Sequence, residues 1–181
     1  MRAIDHENII KLHEVHETEK SVYLVIELVK GKTLESLIKQ RTFIDDPSGS
    51  QAVRMLRSIL EALQYLSAEG IMHRDLKPSN ILVEDSGKVK IVDFGMATYF
   101  NNTSTKFIFN KCGTPGYIAP EVFKYDPNRE ITAYNDRCDV FSAGCVLFYM
   151  YLIFTNLFPH NLQGSLAIPS SKERMFQRLL N

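Results

Sequence analysis

Two polar runs separated by one hairpin pattern constrain the fold of this 181-residue chain more than any other feature. The first run is His73-Arg74-Asp75-Leu76-Lys77-Pro78-Ser79-Asn80, and the second is Asp93-Phe94-Gly95. Between them, Val83 to Lys90 predicts two short strands around the turn residues Asp85-Ser86-Gly87. Such a hairpin would hold the first run on one side and the second on the other, so we expect the two runs to form one site.

A third run, Gly113-Thr114-Pro115-Gly116-Tyr117-Ile118-Ala119-Pro120-Glu121, follows in the chain. In this order the runs resemble the catalytic loop, the magnesium-binding tripeptide and the end of the activation segment of eukaryotic serine/threonine protein kinases. The residue sequence from Cys112 to Tyr117 resembles that of the calmodulin-dependent-kinase-like group. The resemblance covers roughly Ile4 to Pro159. It implies an α+β protein-kinase-like fold in partial form, with a remnant small-lobe β-hairpin, the hinge and the first half of the mainly helical large lobe.

The resemblance implies a role in phosphoryl transfer for each polar residue of these runs. Phosphoryl transfer requires positioning and charge compensation rather than covalent chemistry. Asp75 would orient the substrate hydroxyl and accept its proton late, and Lys77 would neutralise charge on the transferred phosphate. Asn80 and Asp93 would supply oxygen ligands to Mg²⁺. Thr114 would bond to Asp75 and Lys77, which implies serine or threonine acceptors. The implied catalytic residues are Asp75, Lys77, Asn80 and Thr114.

The same resemblance locates the binding region for the other end of ATP. Tyr23 to Val29 resembles the strand and hinge that meet adenine, with Ile26 as the gatekeeper. Backbone groups of Glu27 and Val29 would bond to the base. Leu82 would form part of the pocket floor, and Thr33 would approach the ribose. The implied nucleotide-binding residues are Glu27, Val29, Thr33, Lys77, Leu82 and Asp93.

Patterns of apolar residues predict the elements around these runs. Lys11 to Leu28 is typical of a hairpin whose second strand, Val22 to Ile26, is β-branched and aromatic and is therefore expected to be buried. Thr33 is expected to cap a helix that follows it. A longer helix is predicted to end at Gly70, a residue type common after helix C termini. Its apolar face comprises Ala52, Met55, Leu56, Ile59, Leu60, Leu63 and Leu66.

The resemblance also implies contacts that support the catalytic loop. His73 and Phe94 are expected to stack, and Arg74 is expected to connect the loop to the activation segment. Asp139 is expected to bond to backbone amides of the loop. Asn110 stands where many such kinases carry an activating phosphothreonine, which leaves Thr103, Ser104 and Thr105 as the acceptors in this segment.

The run from Val140 to Phe158 has two interpretations. It is strongly apolar, and its length is about that needed to cross a bilayer. A helix that is buried on all sides within a helical lobe is also apolar all round. Ser142, Gly144 and the position directly after Asp139 favour the buried helix and leave a membrane anchor as the alternative.

Charge and cysteine content bear on partners and location. The formal net charge is zero, so no overall field attracts the chain to nucleic acid or to an acidic membrane. Three cysteines without CxxC spacing predict reduced thiols in an intracellular, cytoplasmic protein. His6, His13 and His16 do not follow the HExxH zinc pattern, so we expect a solvated strand and turn there rather than a metal site.

The expected domain plan is a small-lobe remnant at residues 1–29, a hinge at 30–33, a partial large lobe at 34–163 and a divergent tail at 164–181. Compared with the family, the sequence lacks the glycine-rich loop and the strand lysine that contact the phosphates, and it stops soon after the apolar run, so truncation at both ends is expected. ATP and Mg²⁺ are the implied cofactors, and a protein is the implied substrate. The alternatives are an enzyme whose other parts lie outside this chain, a kinase-derived binding module and a membrane-anchored fragment.

Overall fold

The computed structural model describes residues 4–40, 49–100, 112–123 and 134–154. The predicted phosphoacceptors Thr103, Ser104 and Thr105, together with Asn110 and the tail at 164–181, lie outside these residues. The strands are β1 Leu12–Glu17, β2 Val22–Ile26, β3 Gly31–Thr33, β4 Ile71–Met72, β5 Ile81–Glu84, β6 Val89–Ile91 and β7 Thr98–Tyr99. The helices are α1 Leu34–Lys39, α2 Ser50–Ala68, α3 Pro120–Phe123 and α4 Arg137–Phe154, with a 3₁₀ turn at Pro78–Asn80.

The core forms around α2, and most of its predicted apolar face is buried, although Leu60 is 39% exposed. Six of its side chains are buried: Ala52, Met55, Ile59, Ala62, Leu63 and Leu66. Ala143, Val146 and Met150 of α4 belong to the same buried cluster. Gly70 follows the helix with φ 72°, a left-handed conformation that an L side chain would strain. The helix prediction and its glycine stop are confirmed.

The predicted hairpin between the two polar runs forms from β5 and β6. The strands pair antiparallel, with Leu82 opposite Lys90, and Gly87 turns the chain at φ 84°. β3 adds to the other edge of β5, with Thr33 opposite Leu82. Thr33 then caps α1, since its hydroxyl accepts the amide proton of Ser36 at 3.1 Å. This three-stranded sheet connects the predicted hinge to the site.

The β1–β2 hairpin forms as predicted, but the expected burial of its second strand is wrong. Every residue of β2 is exposed, from 43% for Val25 to 60% for Tyr23. The β-branched and aromatic composition reports a tendency to form a strand, whereas burial depends on what packs against that strand. Within the described part of the chain, no element packs over β2 closely enough to bury its side chains.

The apolar helix α4 is buried on one side only. Ala143, Val146 and Met150 are buried, whereas Val140, Phe148 and Tyr151 are about half exposed. The expectation of a helix buried all round is therefore wrong for the described residues, because its second face has no neighbour among them. Within the four described ranges, no helix combines the length and apolar character needed to cross a membrane.

Candidate active site

The catalytic-loop run begins directly after β4 and ends with the 3₁₀ turn, and it is held in place by Asp139 and by the His73 ring. Asp139 accepts backbone amide protons from His73 at 2.7 Å and from Arg74 at 2.8 Å, as predicted. The His73 ring contacts the Val92 carbonyl through Nε2 at 3.0 Å and meets Phe94 edge-on, with ring centroids 4.9 Å apart. The stacking prediction holds as an edge-to-face contact, the arrangement that aromatic rings prefer.

Burial shifts the pKa values of two groups that support the loop, Asp139 and Tyr134. Burial raises the pKa of the Asp139 carboxyl, while the amide bonds and the nearby His73 ring act in the opposite sense. Arg74 lies in the left-handed region at φ 67° and donates through Nε to the Met96 carbonyl at 2.6 Å. Its Nη1 also donates to the Tyr134 hydroxyl at 3.2 Å. Burial raises the pKa of Tyr134 to about 12, so its hydroxyl stays protonated at neutral pH. Arg74 therefore connects the loop to the segment that follows Asp93, as expected.

The predicted catalytic side chains meet in one compact cluster. Thr114 donates to Asp75 Oδ1 at 2.6 Å, and Lys77 Nζ lies 2.7 Å from Asp75 Oδ2 and 2.8 Å from Thr114 Oγ1. Asn80 Nδ2 contacts Oδ2 of the same carboxylate at 3.2 Å and the Asp75 carbonyl at 3.0 Å. The side chain of Asp75 is 6% exposed and that of Lys77 24%. Each donor thus reaches one carboxylate at the edge of the core.

Asp93 approaches this cluster from the neighbouring segment. Val92 donates its amide proton to the Asn80 carbonyl at 3.0 Å, which places the two predicted metal ligands on adjacent, bonded stretches of backbone. Asp93 itself is exposed and has φ 64°. Its Oδ1 accepts the Gly95 amide proton at 3.2 Å. A side chain at Gly95 would crowd that oxygen, since a Cβ there would lie 3.1 Å from it.

The donor chemistry of these two residues fits Mg²⁺. Because Asn80 turns its nitrogen to Asp75, its amide oxygen faces away from that carboxylate. An amide oxygen and an exposed carboxylate are hard ligands, and Mg²⁺ commonly takes only one or two protein oxygens beside phosphate and water. Among the residues that the structure describes, no group of three or more His, Cys, Asp or Glu could hold a metal, and this includes the region of His6, His13 and His16.

The predicted adenine-side residues are distributed around the three-stranded sheet. Thr33 and Leu82 are partners across β3 and β5. Val29 is half-buried and lies in the segment that links β2 to β3. Glu27 lies just after β2, and its carboxylate forms an ion pair with Lys90 of β6 at 2.8 Å. In the described residues no direct contact joins Glu27 to the Asp75 cluster. β6 connects them, because Lys90 pairs with Glu27 and the amide of Val92, just after β6, bonds to Asn80.

Lys90 is the residue that sequence reasoning missed. It stands between Val89 and Ile91, and simple alternation would point a lysine there toward solvent. Instead all three residues of β6 are buried. The one available signal was the charge of Glu27 at the end of an apolar strand, which a buried lysine can offset.

Comparison with known proteins agrees with this geometry. The model of the protein kinase domain family matches residues 1–178. The chain belongs to this family. This kinase-domain chain is 37% identical to sperm motility kinase 3A of Mus musculus over 185 residues, which cover 98% of the chain and 35% of that relative. It is 35% identical to serine/threonine-protein kinase cds1 of Schizosaccharomyces pombe, over 83% of the chain and 32% of that relative.

A third relative bears on the kinase group. Calcium-dependent protein kinase 5 of Plasmodium falciparum is 38% identical over 166 residues, which cover 89% of the chain and 26% of that relative. The serine/threonine kinase resemblance and its calmodulin-dependent-kinase-like character are confirmed, and so is the partial kinase fold. The chain spans about a third or less of the length of these three relatives.

Proposed function

We propose that this chain provides the catalytic-loop side of a kinase active site that transfers the γ-phosphate of ATP to a serine or threonine of a protein. The observation that carries this proposal is the closed triangle of Asp75, Lys77 and Thr114, with contacts of 2.6–2.8 Å. A structural ion pair would need only two of these side chains. A carboxylate held by a cation and a hydroxyl, at the edge of the core, is suited to orienting one further hydroxyl.

The hydrogen bonds of Asp75 support a role as the acceptor for the substrate hydroxyl. A carboxylate offers about four lone-pair positions, and donors from Thr114, Lys77 and Asn80 take three of them. The remaining position is therefore fixed in direction. The incoming hydroxyl oxygen would form its bond to the γ-phosphorus while the bond from that phosphorus to the ADP oxygen breaks, and the hydroxyl proton would pass to Asp75.

Lys77 and the two metal ligands would compensate charge during this step. Lys77 Nζ holds a fixed position between Asp75 and Thr114, from which it would neutralise the transferred phosphoryl group. Asn80 and Asp93 would hold Mg²⁺, which supplies charge neutralisation at the ATP phosphates when it is bound. Glu27, Val29, Thr33 and Leu82 would contact the adenosine part.

We propose weak MgATP binding and slow transfer by the isolated polypeptide, because its nine glycines include no G-x-G-x-x-G arrangement that could cover the phosphates. The second candidate function is a kinase-derived binding module without catalysis. The exposed apolar strand β2 favours it, because such a strand is available to a partner. An intracellular location and a protein partner remain predictions of both.

A radiolabelled transfer assay on the full chain, with and without Mg²⁺, tests the proposal. We expect slow transfer to a serine- or threonine-containing protein, and a loss of about 100-fold or more in Asp75→Asn, because the general base is removed. Asp85→Asn in the exposed β5–β6 turn is the matched control and should transfer as the parent does. Equal rates in Asp75→Asn and the parent would reject catalysis. Binding of MgATP without any transfer would favour the module.

A further inference from the structure

Lys90 is a buried cation that the proposed chemistry does not use. It lies on β6, shortly before Asp93, and its side chain is only 7% exposed. Lysine is almost never buried to this extent unless it is paired, because removing its charge from water is costly. Its partner is the Glu27 carboxylate, with Nζ 2.8 Å from Oε2. The ion pair therefore joins the strand before Asp93 to the segment after β2.

Glu27 is held from two sides. The carboxylate accepts the amide proton of Lys11 at 3.2 Å in addition to its bond from Lys90, and the Glu27 amide donates to the Lys11 carbonyl at 2.9 Å. Burial acts to raise the pKa of Glu27, but the bonds from Lys90 and Lys11 and the charge of Lys90 lower it below its ordinary value. The carboxylate is therefore ionised at neutral pH, and the pair is a true ion pair.

The residues before Lys11 complete the network along β6. Ile10 donates its amide proton to the Ile91 carbonyl at 2.9 Å, and Ile91 donates its own to the Asn8 carbonyl at 2.8 Å. The buried side chain of Asn8 donates to the Val89 carbonyl at 2.8 Å. The segment 8–11 is thus bonded to β6 at one end and to Glu27 at the other, and the Lys90–Glu27 pair closes the loop.

We infer that Lys90, acting through Glu27, is a positioning residue that sets the distance between the adenine-binding backbone and the Asp93 turn. The inference rests on the proposed function, since it takes residues 27–29 as the adenine contact and Asp93 as a metal ligand. Residues 27–29 would hold the base of ATP, and Asp93 would hold the Mg²⁺ that accompanies its phosphates. Because the spacing is fixed when the chain folds, nucleotide binding does not have to supply the free energy of ordering it. Loss of the pair therefore weakens nucleotide binding without removing any group that touches the nucleotide.

Affinity for a fluorescent ATP analogue with Mg²⁺ tests the inference on the full chain. Lys90→Met removes the charge with little change in length, and we expect it to weaken binding about tenfold, with a similar loss in Glu27→Gln. Lys90→Arg keeps the charge and should stay within about twofold of the parent. The matched control is Lys88→Met on the same hairpin, which removes only the exposed pair with Glu7 at 3.1 Å and should have no effect on affinity.

Amide hydrogen exchange without nucleotide provides a second readout. The Glu27 amide is bonded to Lys11, and the Val92 amide to Asn80, so the two report on the two ends of the spacing. In Lys90→Met both should exchange faster, and in Lys88→Met neither should. A merely local structural role would alter β6 without altering Glu27.

Two results would overturn the inference: parent-like binding by Lys90→Met, or equal weakening by Lys90→Met and Lys88→Met. A parent chain that binds no nucleotide would instead contradict the proposed function. The exchange measurement would then decide the linkage by itself, because unchanged protection at Glu27 and Val92 in Lys90→Met would show that the pair positions nothing.

Discussion

The catalytic loop and the β1–β2 hairpin are both short segments with strong sequence signatures, yet they are stabilised in different ways. The loop is held by directional bonds from several elements, among them the two amide bonds to Asp139 and the Thr114 contact. The hairpin relies on its own ladder, and side chains on both faces of β2 are exposed. The polar loop thus has its supporting contacts within the described residues, whereas the apolar strand depends on what covers it. Substitutions in the two regions should therefore differ sharply in cost.

The largest effect is expected from Asp139→Ala. The change leaves the buried His73 amide and the part-buried Arg74 amide without an acceptor, and it should lower the free energy of unfolding by about 3 kcal/mol or more. Urea unfolding followed by circular dichroism measures this. Asp136→Ala, which removes a part-buried bond from Ser67, is the control and should cost about 1 kcal/mol. Equal costs for the two would mean that the loop is not anchored through Asp139.

Gly31→Ala should have the next largest effect, because the added methyl group would push β3, in the predicted hinge, away from β5. A Cβ at Gly31 would collide with the Val83 carbonyl oxygen and the adjacent backbone of β5. Relief of this overlap should cost about 2 kcal/mol, seen as a lower thermal midpoint. Gly87→Ala strains a positive φ but meets no neighbour, and it should cost about 1 kcal/mol. A larger loss in Gly87→Ala would contradict the close approach of β3 to β5.

A pH dependence should appear at the junction of the two regions. The folded-state pKa of Glu27 lies below its ordinary value of 4.5, so its contribution to stability is complete above that pH and is lost as pH falls through the lower folded value. The urea midpoint of the parent should exceed that of Glu27→Gln at pH 6–7, and the gap should narrow below about pH 4.5. A gap of constant size across this range would mean that the charge of Glu27 does not contribute.

The smallest effect is expected within β2 itself. Leu24→Thr replaces an apolar side chain that is 56% exposed with a β-branched residue that suits a strand, so stability should change by about 0.5 kcal/mol or less. Leu66→Ala in the core is the comparison, with an expected loss of about 2–5 kcal/mol. Thermal unfolding of both variants would show whether β2 is covered in solution, because a cost above about 2 kcal/mol for Leu24→Thr would require burial.

Family resemblance and local patterns made different features predictable. The meeting of Asp75, Lys77 and Thr114 was implied by the resemblance to protein kinases, because Thr114 lies 39 positions from Asp75 and no local pattern joins them. The helix stop at Gly70 was predictable from a local pattern, since glycine is common after helix C termini. Burial was not, since it depends on residues far apart in the chain. Lys90 illustrates this, because its partner Glu27 is 63 positions away.

The positive φ angles at Arg74 and Asp93 bear on whether this site could be transplanted. Neither residue is a glycine, and each left-handed residue costs roughly 1–2 kcal/mol that its surroundings must offset. For Arg74 the offset comes from the distant Asp139 and from Met96. The octapeptide from His73 to Asn80, grafted alone onto a foreign scaffold, would therefore relax to an ordinary turn. A portable version of the site must bring the N-terminal turn of α4 along with it.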